Sequence, residues 1–385
     1  DTMSVLFKMG RARSMDEFKQ AVSLGKAPGL NILYADKTNI GWWMFGEIWN
    51  KRLDLKTDFI LDGASGKDEI LSIMPFDKKP FLENPENGVI ISANSRPSTY
   101  PANMRGDWQP DDRYKTIDQV LSQKEKWSSE ELMEVQSLSM NFENKVLLER
   151  LLLDTFFDSE AEKASFKKYL DILKNWDLVS SIDSVGASLY YTWTKELQVR
   201  MLSALTDDEK EIFSRFPNGW IVFRRLVMDR DSLWWKKFDR GLVFKETLKK
   251  AIAQLEGKLG SDPVNWQWGK LHTIEFVHPI GRMKPLDKIF NVGPFPIPGA
   301  TAEVNNQKFN SYKDFQVKAG PSTRRIIDFA HPQKSWGILP VGNSGHMLSP
   351  FFDDQVQLFI KGEYRAQLMD LEDSDIHYKM IVNPK

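Results

Sequence analysis

The segment GLNILYADKTNIGWWMFGEI, Gly29–Ile48, predicts two β-strands joined by a tight turn. Residues 32–35 form an apolar, β-prone run, residues 36–39 have the composition of a turn, and residues 40–45 resume the apolar pattern. Asn31 does not fit, because it is polar and stands at the head of the first strand among residues expected to be buried. A buried amide without hydrogen-bond partners would cost about 1–3 kcal/mol. The hairpin therefore raises the question of what Asn31 is for.

The composition of the chain excludes several classes of protein. A length of 385 residues predicts one large domain or two smaller ones, and 41% hydrophobic residues are enough for a real core. The formal net charge is −1 and the basic residues are scattered, which argues against nucleic acid as the main partner. No apolar run approaches the roughly 18 residues that a membrane span needs, so a membrane partner is not expected either.

Two further observations concern the origin of the chain. It contains no cysteine, which excludes disulfides, thiolate metal sites and a thiol nucleophile, and which is compatible with a bacterial periplasm. Residues 1–7 resemble neither a signal peptide nor a natural start. We therefore expect the chain to be part of a longer protein.

Hydrophobic patterns divide the chain into strand-rich ends and a helical middle. Ser14–Glu17 and Ser128–Glu131 have the pattern of capping boxes, which predicts a helix after each. Apolar runs predict strands at 89–91, 271–276, 325–329 and 336–341 and a short helix at 353–361. The pattern predicts an α+β fold with three parts: a hairpin and strand part at 1–114, a mainly helical insertion at 115–262, and a return to strands at 263–385.

The sequence contains serines and histidines that could act in catalysis or bind a metal, but the residues around them do not form a recognised catalytic or metal-binding pattern. Ser65 and Ser344 lie in glycine-containing segments without the strand–turn–helix pattern of a nucleophile elbow, so both are interpreted as turn residues. His272 and His278 would share a strand face only if the strand continued to Pro279, so we do not expect a metal pair. Composition alone indicates no more than a soluble α+β globular protein.

Seven short motifs together carry a resemblance to one family. They are Asn31–Asp36 with Asn39–Gly41, Gly46 and Arg52; Ile91–Pro97; Trp268–His272 with His278–Pro279; Pro298–Gly299 with Val304–Asn305; Gly320–Arg324; Gly342–Gly345; and Ser349–Pro350 with Asp354–Gln355. In this order they resemble the penicillin acylase (penicillin amidase) family of N-terminal-nucleophile amidohydrolases. Each motif alone is weak evidence for the family, but the seven motifs occur in the order of the family and extend over nearly the whole chain.

The resemblance implies a fold, a reaction and two site residues. The fold would be part of an αββα N-terminal-nucleophile hydrolase sandwich with a large helical insertion. In this family the β chain begins with a serine that attacks an amide carbonyl, with its own α-amine as base. Asn31 would be an oxyanion-hole donor, and Arg52 would orient the active-site network. The alternatives are an Asn31 that bonds a local backbone group and a surface Arg52. Asn94 and Arg96 would be structural.

The departures from the family pattern limit what can be carried over. Asp1 is the first residue, so the resemblance implies the C-terminal part of a β chain, inactive alone, with the nucleophile outside it. No cofactor is expected here, because the ligands of a structural calcium in the parent would lie mostly outside this chain. Phe351 and Phe352 replace a His-Tyr pair, which indicates a divergent member with an unassigned acyl group and amine.

The expected partners follow from the same resemblance. They are a small-molecule acyl amide and the N-terminal remainder of the same precursor, in a periplasmic or secreted location. Two alternatives stay open at this point. One is a non-catalytic ligand-binding scaffold with the same fold, and the other is an unrelated α+β ligand-binding protein.

Overall fold

The computed structural model describes residues 1–55, 60–97, 108–215, 218–310, 313–369 and 381. The chain forms two compact units, Asp1–Tyr114 and Lys115–Lys385. Within the described residues, no helix combines the length and apolar character needed to cross a membrane. The division into three parts at residues 114 and 262 stays a prediction.

The described residues of the first unit form helices and small antiparallel sheets before the chain reaches residue 112. The helices are α1 (Thr2–Arg11) and α2 (Met15–Ser23), and the strands are β1 (Leu30–Ala35), β2 (Ile40–Phe45), β3 (Trp49–Asn50), β4 (Ser72–Ile73) and β5 (Phe81–Glu83). Strand β2 lies between β1 and β5, and β3 pairs with β4. The predicted hairpin is confirmed, with β1 and β2 in register from Leu30 opposite Phe45 to Ala35 opposite Ile40.

The register of the hairpin separates its side chains onto two faces. One face carries four apolar or aromatic side chains that pack with buried residues of α1 and α2, among them Val5 and Val22; these four are Ile32, Tyr34, Trp43 and Phe45. The opposite face carries Asn31, Leu33, Trp42 and Met44. Helix packing on one face thus fixes the strand on which Asn31 lies.

Two local predictions in the first unit need correction. Ser14 caps α2 by accepting from the Glu17 amide, but the Glu17 carboxylate accepts from the Arg13 amide rather than from that of Ser14. The cap is therefore one-sided. Residues 89–91 are not a strand, and the Val89 amide instead donates to the side chain of Asn87. This local turn uses the amide that would begin a strand ladder.

The second unit begins with a helical block. Helix α3 (Asp112–Leu121) begins just before the boundary between the units. The helices that follow are α4 (Ser129–Gln136), α5 (Glu143–Asp154), α6 (Glu160–Ser165), α7 (Lys167–Lys174), α8 (Val185–Met201), α9 (Asp207–Arg215), α10 (Asn218–Met228) and α11 (Arg240–Leu259). The predicted capping box at Ser128 is confirmed, since its hydroxyl and the Glu131 carboxylate each accept the other residue's amide. Helix α8 is buried on almost every side, and Trp193 and Phe244 lie at the centre of the core.

The remainder of the second unit contains short strands. They are β6 (Thr273–Phe276) paired with β7 (Val292–Pro296), β8 (Lys308–Phe309) paired with β9 (Val317–Ala319), and a sheet of β10 (Arg324–Ile326), β11 (Ser335–Ile338) and β12 (Arg365–Gln367). The short helices are α12 (Asp287–Phe290) and α13 (Val356–Lys361). The three strand predictions in this region are confirmed, although each strand is shorter than its apolar run. A second apolar cluster includes Ile274, Ile338 and Phe359.

Single 3₁₀ turns connect several of these elements. They lie at Phe76–Lys78, Leu202–Ala204, Leu233–Lys237, Pro263–Asn265, Trp268–Lys270, Ile280–Arg282 and Pro332–Lys334.

Candidate functional site

Asn31 makes a side-chain hydrogen bond rather than a backbone one. It lies on β1 opposite Met44 and is half-buried. Its Oδ1 accepts a hydrogen bond from the indole Nε1 of Trp42 at 3.1 Å. Among the described residues its Nδ2 has no hydrogen-bond partner. The carbonyl end of the amide is therefore held while the donor end stays available to another group.

Arg52 follows β3 and forms an ion pair close by in sequence. Its Nε and Nη2 donate to the two carboxylate oxygens of Asp54 at 3.1 and 3.2 Å. The Arg52 side chain is 43% exposed and that of Asp54 is 74% exposed, so the pair contributes little to stability. In the part of the chain that the structure describes, no hydrogen bond or ion pair joins Arg52 to Asn31.

The turn of the hairpin is closed by a tyrosine and an aspartate. The Tyr34 hydroxyl donates to Asp36 Oδ2 at 2.6 Å, and Asp36 Oδ1 accepts from the amides of Thr38 and Asn39. The hydrogen bond to Asp36 raises the pKa of Tyr34 to about 12, and the same bond holds the pKa of the Asp36 carboxyl well below its usual range. These contacts fix the turn, and with it the register that brings Trp42 to Asn31.

Several other motif residues meet in a buried polar network of the second unit. Arg324 donates from Nη2 to Asn305 Oδ1 at 3.0 Å and from Nη1 to the Phe359 carbonyl at 2.9 Å. Asn305 Nδ2 donates to the Pro298 carbonyl at 3.2 Å and to Ser139 Oγ at 3.1 Å. Since these contacts join residues distant in sequence, the corresponding motifs stabilise the fold.

The two histidines that were considered as metal ligands have different surroundings. His272 is fully buried, stacks on Trp268 and donates from Nδ1 to the Phe315 carbonyl at 2.6 Å. Burial lowers its pKa to about 4, so the ring is neutral near pH 7. His278 stacks on Phe290. No cluster of three or more metal-ligating side chains occurs among the described residues.

The two serines considered as nucleophiles lie in irregular backbone. Ser65 Oγ accepts from the Lys67 amide, and Ser344 Oγ accepts from the His346 amide. Both therefore bond the backbone two residues further along, which is the pattern of a serine turn. The interpretation of both as turn residues is confirmed.

A buried carboxyl group in the helical unit was missed by the sequence reasoning. Glu303 accepts hydrogen bonds on Oε1 from Ser180 Oγ at 2.6 Å and from the Tyr191 hydroxyl at 2.7 Å. It is fully buried, and its Oε2 has no partner. Burial raises the pKa of the Glu303 carboxyl to about 7. Nothing in the local pattern of residues 301–305 distinguishes a buried glutamate from an exposed one.

The raised pKa of Glu303 predicts a pH dependence of stability. Between its ordinary value of 4.5 and about 7, the folded protein keeps a proton that the unfolded chain has lost. The free energy of unfolding therefore falls as the pH rises through this window. Glu303→Gln keeps an oxygen acceptor for Ser180 and Tyr191 but cannot ionise. When the pH is raised from about 5 to about 8, the free energy of unfolding of the variant should therefore increase relative to that of wild type by up to about 3 kcal/mol.

Denaturation monitored by circular dichroism at both pH values measures this difference. If the difference in free energy of unfolding between variant and wild type is the same at the two pH values, Glu303 does not cause a pH dependence of stability.

A family model described as penicillin amidase matches residues 1–375. The chain belongs to the penicillin amidase family. This confirms the resemblance seen in the motifs and excludes an unrelated α+β ligand-binding protein.

Two curated relatives show a distant similarity to the chain. An acyl-homoserine lactone acylase QuiP from Pseudomonas fluorescens is 24% identical over 98% of this chain and 48% of its own length. A penicillin acylase 2 proenzyme from a Pseudomonas species is 22% identical over 76% of this chain and 38% of its own length. The chain thus spans about half the length, or less, of these curated relatives.

A solved structure supports the fold of this penicillin amidase family member. The thermostable penicillin G acylase from Alcaligenes faecalis superposes with a TM-score of 0.66 at 19% identity, covering all of this chain and 73% of that one. This confirms the predicted α+β fold class of N-terminal-nucleophile hydrolases.

Proposed function

We propose that this chain is part of an amidohydrolase that removes an acyl group from a small amine, and that Asn31 is an oxyanion-hole donor in it. The observation that carries the proposal is the state of the Asn31 amide. Its oxygen is occupied by Trp42, whereas its NH₂ group has no partner among the described residues. An amide donor held on a strand costs little reorganisation when negative charge develops on a carbonyl oxygen.

The proposed reaction uses a nucleophile outside these residues. The hydroxyl of an N-terminal serine attacks the amide carbonyl, and its α-amine takes the proton. The carbonyl oxygen becomes negative and accepts a hydrogen bond from Asn31 Nδ2. The C–N bond then breaks as the leaving amine takes a proton, and water releases the acid from the acyl-enzyme. In this proposal the chain alone would not turn over.

Arg52, a partner and a cellular location also belong to the proposed function. Arg52 would orient the active-site network, with Asp54 holding its guanidinium. The precursor's other part would be the partner, and a periplasmic or secreted location would agree with the absence of cysteine. The names of the two relatives suggest N-acyl homoserine lactones and penicillin-like amides as first substrates to test.

An assay of the full-length protein tests this function. Purified protein is incubated with N-acyl homoserine lactones of several chain lengths and with phenylacetyl amides, and released amine and acid are measured. We expect the two products in equal amounts for at least one substrate. Saturable binding without product would instead favour the non-catalytic ligand-binding scaffold. If the protein shows no binding and releases no product, both functions are contradicted.

A further inference from the structure

The contact between Asn31 and Trp42 is set by the hairpin. The two residues are eleven apart in sequence, and the register places both on the face of the sheet opposite α1 and α2. Trp42 lies on the central strand β2 and is only 6% exposed. Its indole ring therefore has little freedom, and its N–H lies 3.1 Å from Asn31 Oδ1.

The chemistry of the indole decides which way the amide points. An indole N–H can only donate a hydrogen bond, so the atom of Asn31 that faces it must be the carbonyl oxygen. The two ends of an amide group have nearly the same shape, and a rotation by half a turn exchanges them. Without the indole N–H, the orientation of Asn31 would no longer be selected. The exchanged orientation would direct an oxygen, not a donor, to the proposed oxyanion.

We infer that Trp42 is a positioning residue, whose indole N–H holds Asn31 with its NH₂ group directed at the oxyanion. This inference rests on the proposed function of Asn31 and extends it by one residue. Trp42 itself would contact neither the substrate nor the reacting atoms. Its effect should therefore appear in kcat and depend on the presence of Asn31.

The neighbouring tryptophan offers a matched control. Trp43 lies on the other face of the same strand and is 1% exposed. Its indole Nε1 donates to Glu83 Oε1 at 2.8 Å, away from Asn31. Replacement of either tryptophan by phenylalanine removes one buried indole N–H from β2. Only the Trp42 change removes the partner of Asn31.

The test uses the full-length protein and a substrate that it hydrolyses. Trp42→Phe should lower kcat about tenfold with little change in KM, as expected when one hydrogen bond that supports the transition state is lost. Trp43→Phe should keep kcat after correction for the folded fraction. In an Asn31→Ala background, Trp42→Phe should cause no further loss, because a positioning residue has nothing left to position.

The outcomes separate this inference from the proposed function. A Trp42→Phe variant with wild-type kcat would overturn the role of Trp42. The same would follow if Trp42→Phe lowered kcat by the same factor in the wild-type and in the Asn31→Ala background. An Asn31→Ala variant with wild-type kcat would instead overturn the proposed function. If Trp42→Phe does not fold, the benzothiophene analogue of tryptophan at position 42 keeps the ring shape without the N–H. The same tenfold loss, dependent on Asn31, is expected with that analogue.

Discussion

Asn31→Ala in the full-length protein should lower kcat by about 10²–10³ while KM changes much less. The physical reason is that the Asn31 amide would donate to a carbonyl oxygen on which negative charge develops in the transition state, so its loss affects that state more than the bound substrate. The structure leaves the Nδ2 group of Asn31 without a partner among the described residues, so no internal hydrogen bond has to be broken first. Steady-state kinetics with a hydrolysed acyl amide measure the effect.

A second asparagine of the hairpin provides the control for this substitution. Asn39 lies in the turn, where its Nδ2 donates to Thr38 Oγ1 at 2.9 Å and its Oδ1 accepts from Asn84 at 3.0 Å. Asn39→Ala should therefore reduce stability without changing kcat of the folded fraction. Asn31→Asp, which replaces the donor by an oxygen, should lose at least as much activity as Asn31→Ala. An Asn31→Ala enzyme with near wild-type turnover would exclude Asn31 from the chemistry.

The sequence predicts the hairpin well because its signals are local. Turn residues at 36–39 and apolar runs on both sides determine the strands, and the strands determine the register. The Asn31–Trp42 contact could have been predicted by the same logic. With a four-residue turn, pairing Ala35 with Ile40 places Trp42 opposite Leu33, on the face of Asn31. Sequence reasoning missed the contact because it assigned the strands without working out the register.

Other features could not be predicted because they depend on distant residues. Glu303 is buried by groups more than a hundred positions away, Ser180 and Tyr191, and no pattern near residue 303 reports them. The apolar run at 89–91 has the composition of a strand, but the side chain of Asn87 takes its first amide. Strand formation depends on a partner strand, which local composition does not provide.

The motifs that carry the family resemblance also differ in what they do. Tyr34 and Asp36 close the hairpin turn, and Asn305 and Arg324 join in a buried network. These hydrogen bonds stabilise the fold. Asn31 differs because part of its hydrogen-bonding capacity is not used within the described residues. Motif matching alone does not show this difference, whereas the hydrogen bonds of each residue do.

The second large effect is expected on stability, from Asp154→Ala. Asp154 ends helix α5, and its side chain is only 8% exposed. Its Oδ2 lies 2.6 Å from Arg240 Nη2 and 3.8 Å from Arg150 Nη1, while Oδ1 contacts Arg230. Removal of this carboxylate would leave three arginines close together, and the Arg240 side chain is itself only 12% exposed. Breaking a buried ion pair in this way typically costs about 3–5 kcal/mol.

Asp171→Ala is the matched control, because it removes the same group from an exposed ion pair. Asp171 accepts from Lys167 at 2.6 Å on helix α7, but the two side chains are 44% and 76% exposed. Water solvates both ions after the substitution, so the loss should stay below about 1 kcal/mol. Urea denaturation monitored by circular dichroism compares the two variants. Equal losses would mean that the arginines around Asp154 find other partners or solvent, and that this carboxylate does not hold α5 to the residues that flank α10 and begin α11.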